Sequence, residues 1–218
     1  MKTIAVCSQK GGAGKTTAAL HLAVAAERHR RRAAVFDLDP QGSASVWGEL
    51  RKKTQGTDGP AVVAASYRRL TELLAAAREA GADLAILDTA PHTEEEAFAV
   101  MAQAADVLLI PCRPSFFDLQ AIRLTLDLAR QAGKPAVVML NAVPVRGPLV
   151  HQAEENVASE QARDAVRRVV LCPVLLGQRS AYVRSLTDGL VAQEYEPEGK
   201  AAQEVAALYK WIRGHVGL

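Results

Sequence analysis

The chain alternates short aliphatic runs with longer stretches in which apolar residues recur every three or four positions. Seven runs read as strands: Thr3 to Cys7, Ala33 to Asp37, Ala61 to Ala64, Leu84 to Asp88, Val107 to Pro111, Ala136 to Asn141 and Val169 to Cys172. Most lack polar alternation, the pattern expected where helices cover both faces of a sheet. Helical period follows in Thr16 to Arg30, and in Tyr67 to Ala80, where Leu70, Leu73, Leu74 and Ala77 share a face behind Ser66 as an N-cap. Ser115 and Asp118 open a further helix with a capping-box spacing, and Gly133 ends it after Ala132. Val150 to Arg168 and Lys200 to Val216 read as two more, the last with Val205, Leu208, Tyr209, Ile212 and Val216 in register. This alternation predicts an α/β fold, a doubly wound, mostly parallel sheet with helices on both faces. Gln55 to Pro60 reads as a flexible turn, and 218 residues without repeats or a long linker predict one domain, 1–218.

Composition narrows the class without changing it. Apolar residues at 49% and charged residues at 23% exclude disorder, and aromatics at 5% argue against a sandwich or barrel built on ring packing. A net charge of +2, from 26 basic and 24 acidic residues, does not by itself call for a polyanionic partner, so a basic patch would have to come from local clustering. Cys7, Cys112 and Cys172 are far apart and show no C-x-x-C spacing, which suits a reducing compartment better than a disulfide frame or a metal site. The apolar stretch Thr3 to Ser8 is too short for a signal-peptide core, and no run approaches a membrane span. A soluble, intracellular protein is expected.

The strongest chemical signal is Lys10-Gly11-Gly12-Ala13-Gly14-Lys15-Thr16-Thr17, set between an apolar strand and a helical pattern. Glycines let the backbone curl so that successive N–H groups face phosphate oxygens, and the following helix adds its positive end. In such a loop Lys15 holds the β- and γ-phosphates and the Thr16 hydroxyl ligates Mg²⁺. The usual G-x-x-x-x-G-K-[ST] spacing would put glycine at position 9, where Gln9 stands, and Lys10 is an additional cation. Leu84 to Asp88 has the form of a strand whose terminal carboxylate holds the metal. Asp37-Leu38-Asp39-Pro40-Gln41-Gly42-Ser43 places two more carboxylates at the carboxyl edge of the sheet, where open α/β folds bind ligands. Taken singly, each aspartate is also an ordinary cap or turn residue.

KGGAGKTT, DLDPQGS and LAILDTAP, in that order, resemble the deviant Walker A, A-prime and B motifs of the ParA/MinD family of ATPases, with small ParA-type partition proteins the nearest in pattern. The resemblance runs over nearly the whole chain and implies ATP and Mg²⁺ as cofactors. It implies an ATP-sandwich homodimer in which Lys10 reaches the partner's phosphates, Asp39 orients the attacking water and Asp37 sits beside the Mg²⁺ shell with Asp88 and Thr16. Ala90 departs from the second proline usual there. The segment Ile110 to Asp118 resembles a loop that sits at the dimer interface, although packed phenylalanines at a helix entry explain it equally well. Asn141 resembles an asparagine that some relatives place on adenine, and it is also an ordinary turn former.

The same resemblance implies a cytoplasmic, nucleoid-associated protein that binds non-specific DNA in its ATP state and is released by a ParB-like or cargo adaptor protein. Arg179, Arg184, Lys210 and Arg213 are the candidate phosphate contacts, with Lys200 nearby. Arg163, Arg167 and Arg168 are weaker candidates, because Glu154, Glu155, Glu160 and Asp164 share their helix and suggest an ion-paired solvated face. Three alternatives are weighed against it: a MinD-like membrane cycle through the C-terminal helix with Tyr209, Trp211 and Ile212; a metabolic or electron-carrying relative, for which Cys112 alone offers no cluster set; and a non-hydrolysing scaffold, which Lys10, Lys15 and Asp39 argue against.

Overall fold

The computed structural model describes residues 1–144, 149–163 and 168–218. In chain order, β1 (Lys2–Val6) leads to α1 (Lys15–Arg28), β2 (Ala33–Asp37), α2 (Ser43–Gln55), β3 (Ala61–Ala64), α3 (Leu70–Glu79), β4 (Leu84–Asp88) and α4 (Glu95–Ala104). Then come β5 (Val107–Cys112), α5 (Phe116–Gln131), β6 (Ala136–Leu140), α6 (Leu149–Ala162), β7 (Val169–Leu171), α7 (Ser180–Thr187), α8 (Ala192–Tyr195) and α9 (Lys200–Val216). The seven strands form one sheet in the order β3-β2-β4-β1-β5-β6-β7, and each adjacent pair is parallel.

β1 lies at the centre, and the chain winds outward from it in both directions. After β1 the chain passes through α1 to β2 on one side, while β4 and β5 flank β1 directly. Loops leaving β1 and its neighbours therefore diverge at the carboxyl edge, and that divergence opens a crevice there. Helices cover both faces of the five inner strands, whereas the edge strand β3 is mostly exposed and β7 only partly buried. Ile4 and Val6 face a layer with Leu20 and Leu22 of α1, Trp47 of α2, Tyr182 of α7 and Leu208, Tyr209 and Ile212 of α9. Ala5 and Cys7 face the other layer, with Leu70, Phe98, Met101, Leu119, Ile122 and Val157. Each fully buried leucine or isoleucine contributes roughly 1.5–3 kcal/mol. α1 is buried nearly all round, and five of its buried positions, Ala18, Ala19, Ala23, Ala25 and Ala26, are small side chains.

The seven predicted strands are present within two residues of their expected ends, whereas the helices bring corrections. α2, α4, α7 and α8 were not expected from the pattern. α3 begins at Leu70, because Ser66 instead precedes a single 3₁₀ turn, Tyr67–Arg69, and its side chain makes no capping bond. The helix expected to run to Arg168 ends at Ala162. Arg168 lies just before β7 and donates to the Gly133 carbonyl at 2.6 Å, so it shares no helix with Arg163. Asp164 and Arg167 lie outside the described residues. Ser115 caps α5 as expected, accepting from the Asp118 N–H. α9 spends its apolar face on the core, with Tyr209 and Ile212 buried. Among the described residues no helix is long and apolar enough to cross a membrane.

Candidate functional site

The loop after β1 curls over the carboxyl edge and enters α1 through Gly14, whose φ of 96° is left-handed. A side chain there is excluded twice, by the backbone and by space: a Cβ on Gly14 would sit 2.1 Å from the Asn141 amide nitrogen. The loop borders a cavity of about 640 Å³ that Gly11, Gly12, Gly14, Lys15, Thr16, Thr17 and Asp39 line. Six of the eight motif residues, Gly11, Gly12, Gly14, Lys15, Thr16 and Thr17, therefore border the crevice at a helix N-terminus, while Ala13 is buried beneath it and Lys10 turns elsewhere.

Lys15 is 7% exposed, and its ammonium donates to the Lys10 carbonyl at 3.3 Å, folded back on the loop. Burial pulls its pKa below the ordinary lysine value, and the nearby Asp88 and Asp39 oppose that pull. A triphosphate in the cavity would supply the counter-charge this ammonium lacks.

Asp88 ends β4 beside the Asp37 that ends β2. Its side chain is fully buried, and neither carboxyl oxygen has a hydrogen-bond partner among the described residues. Burial pushes its pKa up to about 7; Asp37 and Asp39 add to the rise, and Thr16 and Lys15 oppose it. An orphaned buried carboxylate next to a threonine hydroxyl fits a hard divalent cation, which Thr16, Asp88, phosphate oxygens and water would hold together. Asp37 is differently employed. Its Oδ2 accepts from both the N–H and the hydroxyl of Ser45 at 2.8 Å, fastening the start of α2, and its Oδ1 accepts from the Asp39 N–H at 3.3 Å. With both oxygens engaged, Asp37 anchors the start of α2 and the Asp39 loop. Asp39 reaches the cavity half-buried, its Oδ1 accepting from the Gln41 N–H.

Lys10 points away from its own phosphate cavity. Its ammonium pairs with Asp118 of α5 at 3.1 Å, and Asp118 in turn accepts a hydrogen bond from the Ser115 hydroxyl. Just beyond, Phe116 and Phe117 are 68% and 75% exposed and touch edge to face, a large apolar pair on the rim.

At the other end of the cavity Asn141 donates its amide to the Ala13 carbonyl at 2.7 Å, so it braces the loop while lining the crevice. Pro144, Gly177, Gln178, Arg179, Tyr182 and Val183 complete this end. The sequence reading missed this set, apart from Arg179, and no motif marks it. Arg179 was expected among DNA contacts; instead its guanidinium is committed to Glu204 of α9, which also accepts from the Gly177 N–H and the Tyr182 hydroxyl. Arg184 and Lys210 are exposed and Arg213 is half-buried. Arg163 pairs with Glu160, but Glu160 is buried and also held by Arg123 and Arg130 of α5, so this is an inward pair and not the solvated face expected. His21 ties α1 to α8. Its Nε2 accepts from the Ala192 N–H, so Nδ1 donates to the Thr17 carbonyl at 2.7 Å, and burial pulls its pKa down to about 4. All three cysteines are buried and unpaired, and burial pushes the Cys7 thiol up to about 12.

Comparison with known proteins agrees with this geometry. The CobQ/CobB/MinD/ParA nucleotide binding domain family matches residues 4–175. The chain is 33% identical over 213 residues to the maintenance of carboxysome distribution protein A of Gloeobacter kilaueensis, covering 97% of this chain and 92% of that protein. It is 30% identical to the chromosome-partitioning ATPase Soj of Thermus thermophilus, over 64% of this chain and 67% of that one. The fold superposes on the cell division ATPase MinD of Pyrococcus furiosus with a TM-score of 0.74, 20% identity and 98% of each chain covered. The chain belongs to the CobQ/CobB/MinD/ParA nucleotide-binding family, and within it to the ATPases of the ParA/MinD kind.

Proposed function

We propose that this ATPase is a single-domain, ParA-like positioning protein that closes into a homodimer around two Mg²⁺-ATP molecules, binds DNA without sequence preference in that state and lets go on hydrolysis. ATP and Mg²⁺ are its cofactors. Lys15, the loop amides and Thr16 hold the phosphates, Asp88 and Thr16 hold the metal, and Asp39 orients the attacking water. The observation that carries the dimer is the direction of Lys10. It leaves its own cavity for Asp118, on the rim where Phe116 and Phe117 offer exposed apolar surface to a second copy. A lysine that must change partners to reach a phosphate ties chemistry to assembly: hydrolysis is slow in one copy alone and rises when a ParB-like or adaptor protein engages the dimer.

Arg184, Lys210 and Arg213 are the proposed DNA contacts; Arg179, with Asn141, lines the end of the cavity that we assign to the base. A relative named for carboxysome distribution and another named for chromosome partitioning both support movement of a large cargo, and the cargo of this chain is one of that kind. The test is a DNA-binding titration with ATP, ADP and no nucleotide at two salt concentrations. Retention with ATP alone, weakening as salt rises, is the expected result. Binding that ignores the nucleotide, or ATP-dependent sedimentation with liposomes in place of DNA, would overturn the reading.

A further inference from the structure

A cation that the function described so far does not use lines the phosphate cavity. Arg113 directly follows β5. Its backbone is fastened: the Asn141 N–H donates to the preceding Cys112 carbonyl at 2.8 Å, and the Arg113 carbonyl accepts from the Ser115 N–H at 2.8 Å and the Cys112 thiol at 3.2 Å. Pro114, buried, stiffens the next step. Its side chain, in contrast, is exposed and lines the same cavity as Lys15, Thr16 and Asp39. One guanidinium nitrogen lies 3.7 Å from where a Cβ on Gly12 would sit.

Neighbouring cations are spoken for. Arg179 is held by Glu204, Lys10 by Asp118 and Lys15 by the Lys10 carbonyl. The Arg113 guanidinium has neither a hydrogen bond nor a carboxylate within 4 Å among the described residues. A guanidinium on an anchored backbone beside a phosphate loop, with its donors unspent, is built to take a phosphate bidentately. The end of the loop it covers decides which phosphate. Asn141 and the base-side residues meet the loop at Ala13 and Gly14, whereas Arg113 covers the exposed Gly12, away from the base end.

We propose that Arg113 grips the terminal phosphate of the triphosphate bound by its own protomer, and so discriminates ATP from ADP before any second copy arrives. This rests on the assignment of the loop Lys10 to Thr17 as the triphosphate site. The test is calorimetry with Mg²⁺ and a non-hydrolysable ATP analogue, and with Mg-ADP, on wild type, Arg113→Gln and Arg113→Lys. Protein concentrations are kept where light scattering shows a monomer. A charge-assisted pair of this kind predicts a roughly 10- to 100-fold weaker triphosphate in Arg113→Gln, ADP within about 2-fold of wild type, and an intermediate loss in Arg113→Lys, which keeps the charge without the fork. An unchanged thermal midpoint checks that the exposed substitution leaves the fold intact. Equal losses for both nucleotides, no loss for either, or a loss that appears only at dimerising concentrations would overturn the proposal. Lys15→Ala separates the two failures: if wild type and that variant bind nucleotide alike, the loop assignment itself is wrong, and otherwise Arg113 alone is.

Discussion

The two ends of the crevice are built on different principles. At the phosphate end, Lys15, Thr16, Asp39 and Asp88 hang from β1, β2 and β4 in the middle of the sheet, and their spacing along the chain is set by strand and loop geometry. At the end proposed for the base, Asn141, Pro144, Gly177, Gln178, Arg179 and Tyr182 come from loops after β6 and β7 and from α7, and Glu204 of α9 holds three of them, Gly177, Arg179 and Tyr182. A triphosphate asks for backbone N–H groups, a lysine and a carboxylate-held metal, whose positions are stringent. A base asks for a slot of suitable shape, which many loop sequences supply.

The largest expected effect breaks the phosphate end outright. Lys15→Ala removes the charge that meets the β- and γ-phosphates, and Mg-ATP affinity by calorimetry should fall by a factor on the order of 10²–10³, with hydrolysis lost. Wild-type affinity in that variant would leave the comparison without its stronger half.

A second test uses the buried Asp88. Its pKa, raised to about 7 from 3.8, means that the folded protein holds a proton the unfolded chain has released between those values. Its contribution to stability therefore falls as pH rises from about 4 to about 7. Asp88→Asn removes that penalty. Relative to wild type, the variant should gain about 3 kcal/mol of urea stability between pH 5 and pH 8 without nucleotide or Mg²⁺. Equal pH dependence in the two proteins would show that the carboxylate is not desolvated as described. Saturating Mg-ATP should flatten the wild-type profile, because the metal favours the ionised form.

The smallest effect sharpens the comparison. Arg179→Ala leaves Glu204 bonded to the Gly177 N–H and Tyr182 but loosens the base-side loop. ATP affinity should drop by about 10-fold, the scale of one partly exposed charged contact, while inorganic tripolyphosphate binds as to wild type. If both ligands weaken together, the two ends are not separable.

This division also explains what the amino-acid pattern made legible. The inner strands, buried on both faces, are continuous apolar runs and could be read with the carboxylates at their ends, and the exposed edge strand β3 was legible because its own run, Ala61 to Ala64, is apolar too. α2 was hidden because its inward stripe is Ala44, Trp47 and Arg51, and the arginine reads as surface. In the fold Arg51 is buried, paired with Glu194 at 2.7 Å and lying over the Trp47 ring. α4 opens on Glu95 and Glu96, and α7 is only 8 residues long, too short for its period to show. The base end was illegible for a different reason. Asn141 contacts Ala13 across 128 positions of sequence, and Tyr182 of α7 meets Glu204 of α9 across 22 positions that include α8, a pairing no spacing rule encodes. Lys10 stood out as a cation, yet only the fold reveals its tether to Asp118.

The most direct test is a crystal structure of the chain grown with Mg²⁺ and a non-hydrolysable ATP analogue. The triphosphate should lie along Gly11 to Thr17, with the metal between the Thr16 hydroxyl and Asp88 and the base between Asn141 and Arg179. A triphosphate bound elsewhere, or a metal held without Asp88, would contradict the account.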